Sequence, residues 1–523
     1  MLRSSSKLTN RFLGVALLGG VAALAALAQN GLVLRYELIE LTAPEGGQSR
    51  AYSVNNTGQA VGWVQADSGK HSAQWHNRAT TDLHGTVHFS LKHPLFDQDY
   101  SEAFAISNGG QIVGNARTSI ECPPTFVITN AFVLRPSVLS DLATPYPGDA
   151  LANLMTLGNP CQTAYDSAAI GISNSNYVVG WADRIDGVTH AFLVRPLNGT
   201  FVADLNEDLV NDLMIDLGTL AASDPVSSAT AVNDAGEVTG YSYTLRGDGT
   251  GGYHAFLLTP LDNNADGFPD QWYAGAGGVN DLMTDLGTLG GVNSWGRAIN
   301  NNGDVVGESD YDAPTGEHYT RAFYWSDGTM TDLGTLRDDP LHGFSAASAI
   351  NDAGVIVGWA EDEERNRRAF VYRDGVMQDL NDLLYLLDED GKRITPGITL
   401  TEARDINEDG VIVGWGTIRG SSDGSTRGFL LNPVMVDPNA LEPTEPDDSN
   451  TPAPGDDDNN PPTDYSGVPD FGAPDTGDDT DPNDGTPNGG VSPISLCGAS
   501  GTAMLPLTLA GLCWLRWGRR RPV

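Results

Sequence analysis

Residues 297–336, RAINNNGDVVGESDYDAPTGEHYTRAFYWSDGTMTDLGTL, alternate short apolar runs with polar turn clusters at nearly even spacing. The pattern predicts four strands, at 298–300, 304–307, 321–325 and 330–333, with turns at Asn300-Asn301-Asn302-Gly303 and Ser326-Asp327-Gly328. Four strands at this spacing make one small antiparallel sheet. Such a sheet cannot bury both of its faces alone, so the unit requires copies of itself.

The chain supplies them. Aligned on the second strand, seven registers recur: VNNTGQAVG at 54–62, ISNGGQIVG at 106–114, ISNSNYVVG at 172–180, VNDAGEVTG at 232–240, INNNGDVVG at 299–307, INDAGVIVG at 350–358 and INEDGVIVG at 406–414. Each reads as a hairpin. The first turn Asn bonds its own backbone two residues on, and the fourth-position Gly supplies the left-handed conformation. Departures follow the same chemistry: Ser107 and Ser173 replace Asn with a weaker acceptor. Asn176 replaces Gly with a residue that tolerates that backbone region.

A third strand recurs as a His-Ala-Phe-like run at 72–75, 130–132, 190–192, 254–256, 321–323, 368–370 and 427–429. A fourth recurs as Asp-Leu or Asp-Leu-Gly at Asp82, Asp141, Asp216, Asp285, Asp332 and Asp379. These residues resemble the HAF repeat family of extracellular bacterial proteins, over roughly residues 36–433. The resemblance implies a secreted β-propeller-like array and no particular activity. Seven four-stranded copies predict an all-β fold, a seven-bladed β-propeller. The seventh copy lacks an Asp-Leu-Gly strand, whereas an orphan apolar run at 36–41 precedes the first. That run is expected to pair with the last blade and close the ring, Ile39 near Leu430. Otherwise 434–436 forms a very short fourth strand and the array stays open. In a ring, loops from second to third strands and from fourth strands to the next blade share one face, expected to carry the irregular lengths and the ligand.

The ends read as addresses. Arg3, Lys7 and Arg11 precede an apolar run to Leu27, and Ala26-Leu27-Ala28 has the small-x-small form, so residues 1–28 read as a signal peptide. Residues 437–490 hold 15 acidic residues, 11 prolines and no Lys or Arg, the composition of a disordered, extended linker. Residues 491–523 contain Cys497, an apolar run around 504–515 and Arg516, Arg519, Arg520 and Arg521. The run is shorter than the roughly 20 residues of a relaxed membrane span. This order resembles the C-terminal sorting signals of the PEP-CTERM and MYXO-CTERM types, which implies a bacterial surface protein anchored or processed at its C-terminus. The propeller is thereby assigned to 29–436, and membrane contact is expected only through the C-terminal segment.

A formal net charge of −39 over 523 residues excludes nucleic acid as a partner of the folded part. It suits cations. Asp262-Asn263-Asn264-Ala265-Asp266-Gly267-Phe268-Pro269-Asp270 places oxygens at positions one, three, five and nine around a glycine, with the Phe268 carbonyl at seven. It resembles the calcium loops of thrombospondin-type and EF-hand proteins, although Tyr273 stands where a terminal glutamate belongs. Asp262, Asn264, Asp266, Phe268 and Asp270 are therefore candidate calcium ligands, with Asp204, Asn206 and Asp208 a degenerate cousin. Of nine histidines, five fall near the first repeat: His71, His76, His84, His88 and His93. They lack a partner at fixed metal spacing and read as solvated.

The His or Arg at His190, His254, Arg321, Arg368 and Arg427 recurs per repeat and is expected to bond a neighbour between blades. Trp63, Trp181, Trp359 and Trp415 read as packing, with a glycan-binding rim as the other use of their faces. Four cysteines are too few for a disulfide scaffold, but Cys122 and Cys161 are expected to pair across one blade junction. No nucleophile with a base, carboxylate pair or metal triad stands out. The reading is a non-enzymatic, monomeric, cell-surface binding or scaffold module, calcium-stabilised, for an extracellular glycan, protein or matrix ligand. The alternative is a secreted polysaccharide hydrolase or lyase using channel carboxylates, and a third is a purely structural envelope component.

Overall fold

The computed structural model describes residues 32–437, apart from 45, 68, 84–98, 121–125, 135–150, 156–165, 185, 204–210, 223–225, 246–250 and 388–393. The expected signal peptide at 1–28, the expected linker beyond Asp437, residues 491–523, Cys122 and Cys161, Asp204, Asn206 and Asp208, and His84, His88 and His93 lie outside the described residues. Within them the protein is all-β, with one short 3₁₀ turn at Leu380–Leu383. Five sheets have four strands and one has eight. The larger sheet joins two consecutive antiparallel quartets through a short parallel contact, Gly69 beside Asp99 and Lys70 beside Tyr100.

In most sheets four strands follow in chain order. The sheet made of Ile398–Ile406, Ile412–Ile418 and Thr426–Val436 takes its outer strand from the front of the chain, Val33–Leu41. The register sets Val33 opposite Val436, Ile39 opposite Leu430 and Glu40 opposite Phe429. Elsewhere Asp216 lies opposite Phe192, Asp285 opposite Phe256, Asp332 opposite Phe323 and Asp379 opposite Phe370. Glu40-Leu41 thus occupies the position of the repeated Asp-Leu.

The second-strand glycine has a steric cause. Each first strand carries a β-bulge, between Ala51 and Ser53 in the first repeat and at the matching place in the other six. The bulge swings the preceding carbonyl across the sheet. A Cβ on Gly62, Gly180, Gly307 or Gly358 would lie 2.0, 1.9, 1.9 or 2.1 Å from the carbonyl oxygen of Arg50, Ala168, Trp295 or Ala346. Third-strand phenylalanines cover several of these bare positions: an added Cβ on Gly358 would stand 2.9 Å from Phe370. Phe132, Phe192, Phe256, Phe323, Phe370 and Phe429 are all fully buried.

Adjacent quartets are stapled by a serine two residues before the bulge's alanine or glycine. Ser227 accepts from Ala191 N at 2.9 Å and donates to Gly218 O at 2.6 Å. Ser345 does the same between Ala322 N and Gly334 O, and Ser294 between Ala255 N and Gly287 O. Ser49 joins Gly428 N to Leu41 O, linking the first quartet to the last sheet. The seventh repeat has Thr401 at this place. Asn381 serves instead, exchanging two hydrogen bonds with the Leu400 backbone.

Two expectations are corrected by the strand connections. Third-to-fourth connections are tight at 77–78, 327–328 and 374–375, but run through 195–213 and 259–282 in the third and fourth repeats. The longest insertion therefore sits on the same face as the first-to-second turns, not opposite them. Trp272 holds it there: its indole is buried and donates to Gly236 O at 2.9 Å, inside the fourth repeat's turn. The recurring cation also pairs within its own sheet. His190 meets Asp216 at 2.7 Å, and His254 meets Asp285 at 2.8 Å. Antiparallel third and fourth strands bring the two onto one face, nearer than any neighbouring sheet. Arg427 reaches Glu40 at 3.0 Å in the same way, whereas Arg321 donates to Pro340 O at 2.7 Å.

Candidate functional site

The first strands surround a central cavity of about 260 Å³. Its rim is built by the repeat. The turn Asn accepts its own backbone through Oδ1, as Asn55 does from Thr57 N and Gln59 N. Its Nδ2 then donates to the next repeat's carbonyl: Asn55 to Ser107 O, Asn233 to Asn300 O, Asn300 to Asn351 O, Asn351 to Asn407 O and Asn407 to Asn55 O. The following residue adds a second circuit, each backbone N–H donating to the side chain of its successor. It passes from Asn56 to Asn108, Asn174, Asp234, Asn301, Asp352 and Glu408, and Glu408 N returns to Asn56 Oδ1, with every link between 2.7 and 3.2 Å. As the sequence predicts, Asn176 takes the left-handed conformation, with φ 66°.

Three residues before the turn Asn stands the bulge residue, and here the repeats diverge. In the circuit's order the lining residues are Tyr52, Phe104, Ile170, Thr230, Arg297, Ser348 and Arg404. Tyr52 stacks on Phe104 with ring centroids 5.8 Å apart, and Phe104 packs on Ile170. On the other side, Arg297 is ion-paired with buried Glu308, and Arg404 with Glu402 at 2.9 Å. Three consecutive positions are thus apolar or aromatic, while Arg297 and Arg404 flank Ser348, and the Arg404 guanidinium lies 5.7 Å from the Tyr52 ring.

Next to this layer lies a cluster of cations, carboxylates and aromatic rings. The Arg50 guanidinium lies over Trp415 at 4.8 Å and Trp63 at 5.7 Å, while Arg367 lies over Trp359 at 3.9 Å and pairs with Glu402. Trp63 donates to the Tyr52 hydroxyl at 2.9 Å. Lys70 meets Glu102 at 3.5 Å, and the Tyr100 hydroxyl donates to Glu102 at 3.2 Å. These contacts are cation–π and charge-assisted bonds; the carboxylates Glu102 and Glu402 are buried, whereas Arg367 is exposed and Lys70 half-buried.

Burial dominates the titration of this region. It pushes the Tyr52 and Tyr100 phenols well above the ordinary range, with Glu102's negative charge adding to both. It also raises Glu102, against the opposing pull of Lys70, Tyr100 and Arg50. Asp405 is raised by burial although Val54 N, Ser53 and Ile406 N all donate to it. Arg404 is lowered by burial, Glu402 and Tyr52 opposing and the nearby charge of Arg297 adding to the depression.

The structure places the candidate calcium residues on an exposed loop within 259–282. Asp262 accepts from Gly267 N at 2.8 Å, Asn264 from Asp266 N at 2.9 Å, Asp266 from Phe268 N at 2.9 Å, and Asp270 from the Asn263 side chain at 2.9 Å. Ala265 and Gly267 both have positive φ. Among the described residues no three His, Cys, Asp or Glu side chains are gathered as a metal site. His71 is bonded to Asp82 at 2.7 Å and His76 is exposed. The tryptophans read as packing do pack, yet Trp63, Trp359 and Trp415 also carry the arginines. The bulge layer was missed from sequence, although its fixed offset from the turn Asn was there to be used.

These strands and this cavity define an all-β, propeller-like protein. A family model described as "Protein of unknown function (DUF3466)" matches residues 342–445. No curated protein matches the chain. Among solved structures, the β-propeller domain of the Trilobed protease from Pyrococcus furiosus aligns over 74% of this chain and 97% of its own, at 7% identity and TM-score 0.40. Polysaccharide lyase Uly1 aligns over 72% and 88%, at 9% identity and TM-score 0.33. Aleuria aurantia lectin aligns over 65% and 96%, at 12% identity and TM-score 0.26. The fold assignment rests on the strand register itself.

Proposed function

We propose that residues 33–436 form a seven-bladed propeller closed through Val33–Leu41, exported and held at a bacterial cell surface, that binds carbohydrate without transforming it. The register of Val33–Leu41 on Thr426–Val436 and the turn circuit that returns to Asn56 support the closure. The observation that carries the function is the lining of the central cavity, where the stacked rings of Tyr52 and Phe104 stand in one wall with Arg297 and Arg404. Polarised C–H groups of a sugar face suit the negative face of an aromatic ring, and guanidinium donors suit its oxygens. A glycan and matrix screen of the full chain tests it. Retention of a saccharide that Phe104→Ala releases is the expected result, and retention of nothing would leave a purely structural envelope role.

A second reading has one observation in its favour. Glu102, buried and held toward protonation beside Tyr100, has the form of a general acid for a hydrolase or lyase. Its pairing with Lys70, like that of Glu308 with Arg297 and Glu402 with Arg404, favours binding over catalysis. Release of reducing or unsaturated ends from a panel of polysaccharides would reverse that preference.

Calcium is proposed for the loop of Asp262, Asn264, Asp266, Phe268 and Asp270, with an affinity of about 10⁻⁴ to 10⁻³ M, as in extracellular modules. Trp272 ties the loop to the buried core, so occupancy is expected to raise the melting temperature at millimolar calcium and Asp266→Ala to abolish the rise. An unchanged melting temperature in the native chain removes the proposal.

A further inference from the structure

From the third repeat on, the third-strand cation meets an acid of its own sheet or hairpin, with one exception. His190 pairs with Asp216 at 2.7 Å, His254 with Asp285 at 2.8 Å, Arg368 with Asp362 at 2.8 Å and Arg427 with Glu40 at 3.0 Å. The fifth repeat has its acid in place: Asp332 accepts from Gly334 N at 2.8 Å, as Asp285 does from Gly287 N. Arg321 nevertheless donates to Pro340 O, in the connection to the sixth repeat.

Arg321 has no exposed surface. Among the described residues, its Nε and Nη1 meet no hydrogen-bond acceptor. These two atoms carry three of the five N–H groups of a side chain that cannot give up its charge. The guanidinium lies 5.2 Å from the Tyr311 ring, whose face offers partial negative charge but no acceptor atom. The carboxylates of the same junction serve other donors: Glu317 and Asp339 lie against His342, and Glu361 accepts from Phe344 N. A full charge with most of its donors unserved is costly in an interior, and a counter-ion beside it removes much of that cost.

We infer that Arg321 binds a small inorganic anion, chloride, held by its guanidinium at the junction of the fifth and sixth repeats. The ion has to be monatomic, because a side chain without exposed surface leaves no place for a sulfate, a phosphate or a sugar acid. A guanidinium is more weakly hydrated than an ammonium, and so exchanges water for a weakly hydrated anion at small loss. Tyr311, Arg321 and Pro340 do not line the central cavity, so the site is independent of carbohydrate binding. In the other repeats the counter-charge comes from the chain. Here it comes from solution.

The test is thermal unfolding of the full chain at constant ionic strength, with sodium methanesulfonate exchanged for sodium chloride. Methanesulfonate is too large to lie beside a buried guanidinium. Raising chloride from about 5 mM to about 500 mM is expected to lift the midpoint by about 2 °C or more, saturating as a single site does. Bromide is expected to replace chloride and to give an anomalous-scattering peak beside Arg321 in crystals. Arg321→His recreates the pair that His254 makes with Asp285, now with Asp332, and is expected to lose the chloride dependence. Arg321→Met removes the charge altogether and is expected to lose it too, which keeps the test open if the histidine variant does not fold. Equal midpoints in the two salts mean that water alone serves Arg321, and overturn the assignment. A chloride dependence that persists in either variant, or bromide bound only elsewhere, also overturns it.

Discussion

Two layers of the same seven strands, three residues apart, differ completely in how they use the repeat. At the turns nearly every position is Asn, Asp or Ser, and the side chains are consumed in a circuit that binds each repeat to the next. At the bulges no more than two repeats share a residue, and the backbone is nonetheless the same in all seven. The contrast separates what joins each repeat to the next from what lines the cavity. A position that must bond its neighbour's backbone is fixed by geometry. A position that the repeat's backbone bonding does not fix is free to vary, and there the variation gives three apolar or aromatic residues in succession and two ion-paired arginines.

This division can be broken. Gly358→Ala sets a methyl against the Ala346 carbonyl and Phe370, and should cost about 2–3 kcal/mol or more, because the backbone oxygen cannot move without undoing the bulge. A smaller shift in the urea midpoint would mean that the bulge is not rigid. Asn351→Ala removes the bond to Asn407 O and the cap on Val355 N, a loss of about 1–2 kcal/mol. The converse change sharpens the contrast. Ser173→Asn supplies one of the missing amide links of the circuit and should gain about 0.5–1 kcal/mol, read as a raised denaturation midpoint.

The smallest expected effect concerns Glu102. Burial raises its folded pKa above the unfolded value near 4.3, so the folded state holds its proton longer. Its contribution to stability therefore falls as pH rises from the unfolded value through the folded one. Glu102→Gln lacks that slope and should gain on the native chain between pH 5 and pH 8. A stability difference that does not change with pH would count against the buried, raised carboxylate.

The frame was legible because each of its parts is a local necessity. The turn Asn, the left-handed Gly or Asn176, the second-strand Gly and the orphan strand at 36–41 all announce backbone conformations within a few residues. The stapling serines were equally regular, at Ser49, Ser101, Ser167, Ser227, Ser294 and Ser345, but a small residue before a strand carries no visible signal until its partners are known. The lining was hidden for another reason. Lys70 meets Glu102 and Arg367 meets Glu402 only because the sheets are radially adjacent, at sequence separations that no local pattern encodes. Recurring cations such as His190 bond inside their own sheet rather than between blades, because antiparallel pairing sets the fourth-strand Asp closer than packing sets the next sheet.

The pairing of Val33 with Val436 brings the first and last strands of the array out at the same point of one antiparallel pair. Tension applied between them would peel that pair open one rung at a time, the weakest way to load it. Tension on residue 437 alone, against a load held in the central cavity, acts differently. It runs lengthwise along Thr426–Val436, which is gripped by Val33–Leu41 on one side and by Ile412–Ile418 on the other. All of those rungs then resist together, so the clasp is strongest for a body tethered by its tail and loaded from its centre.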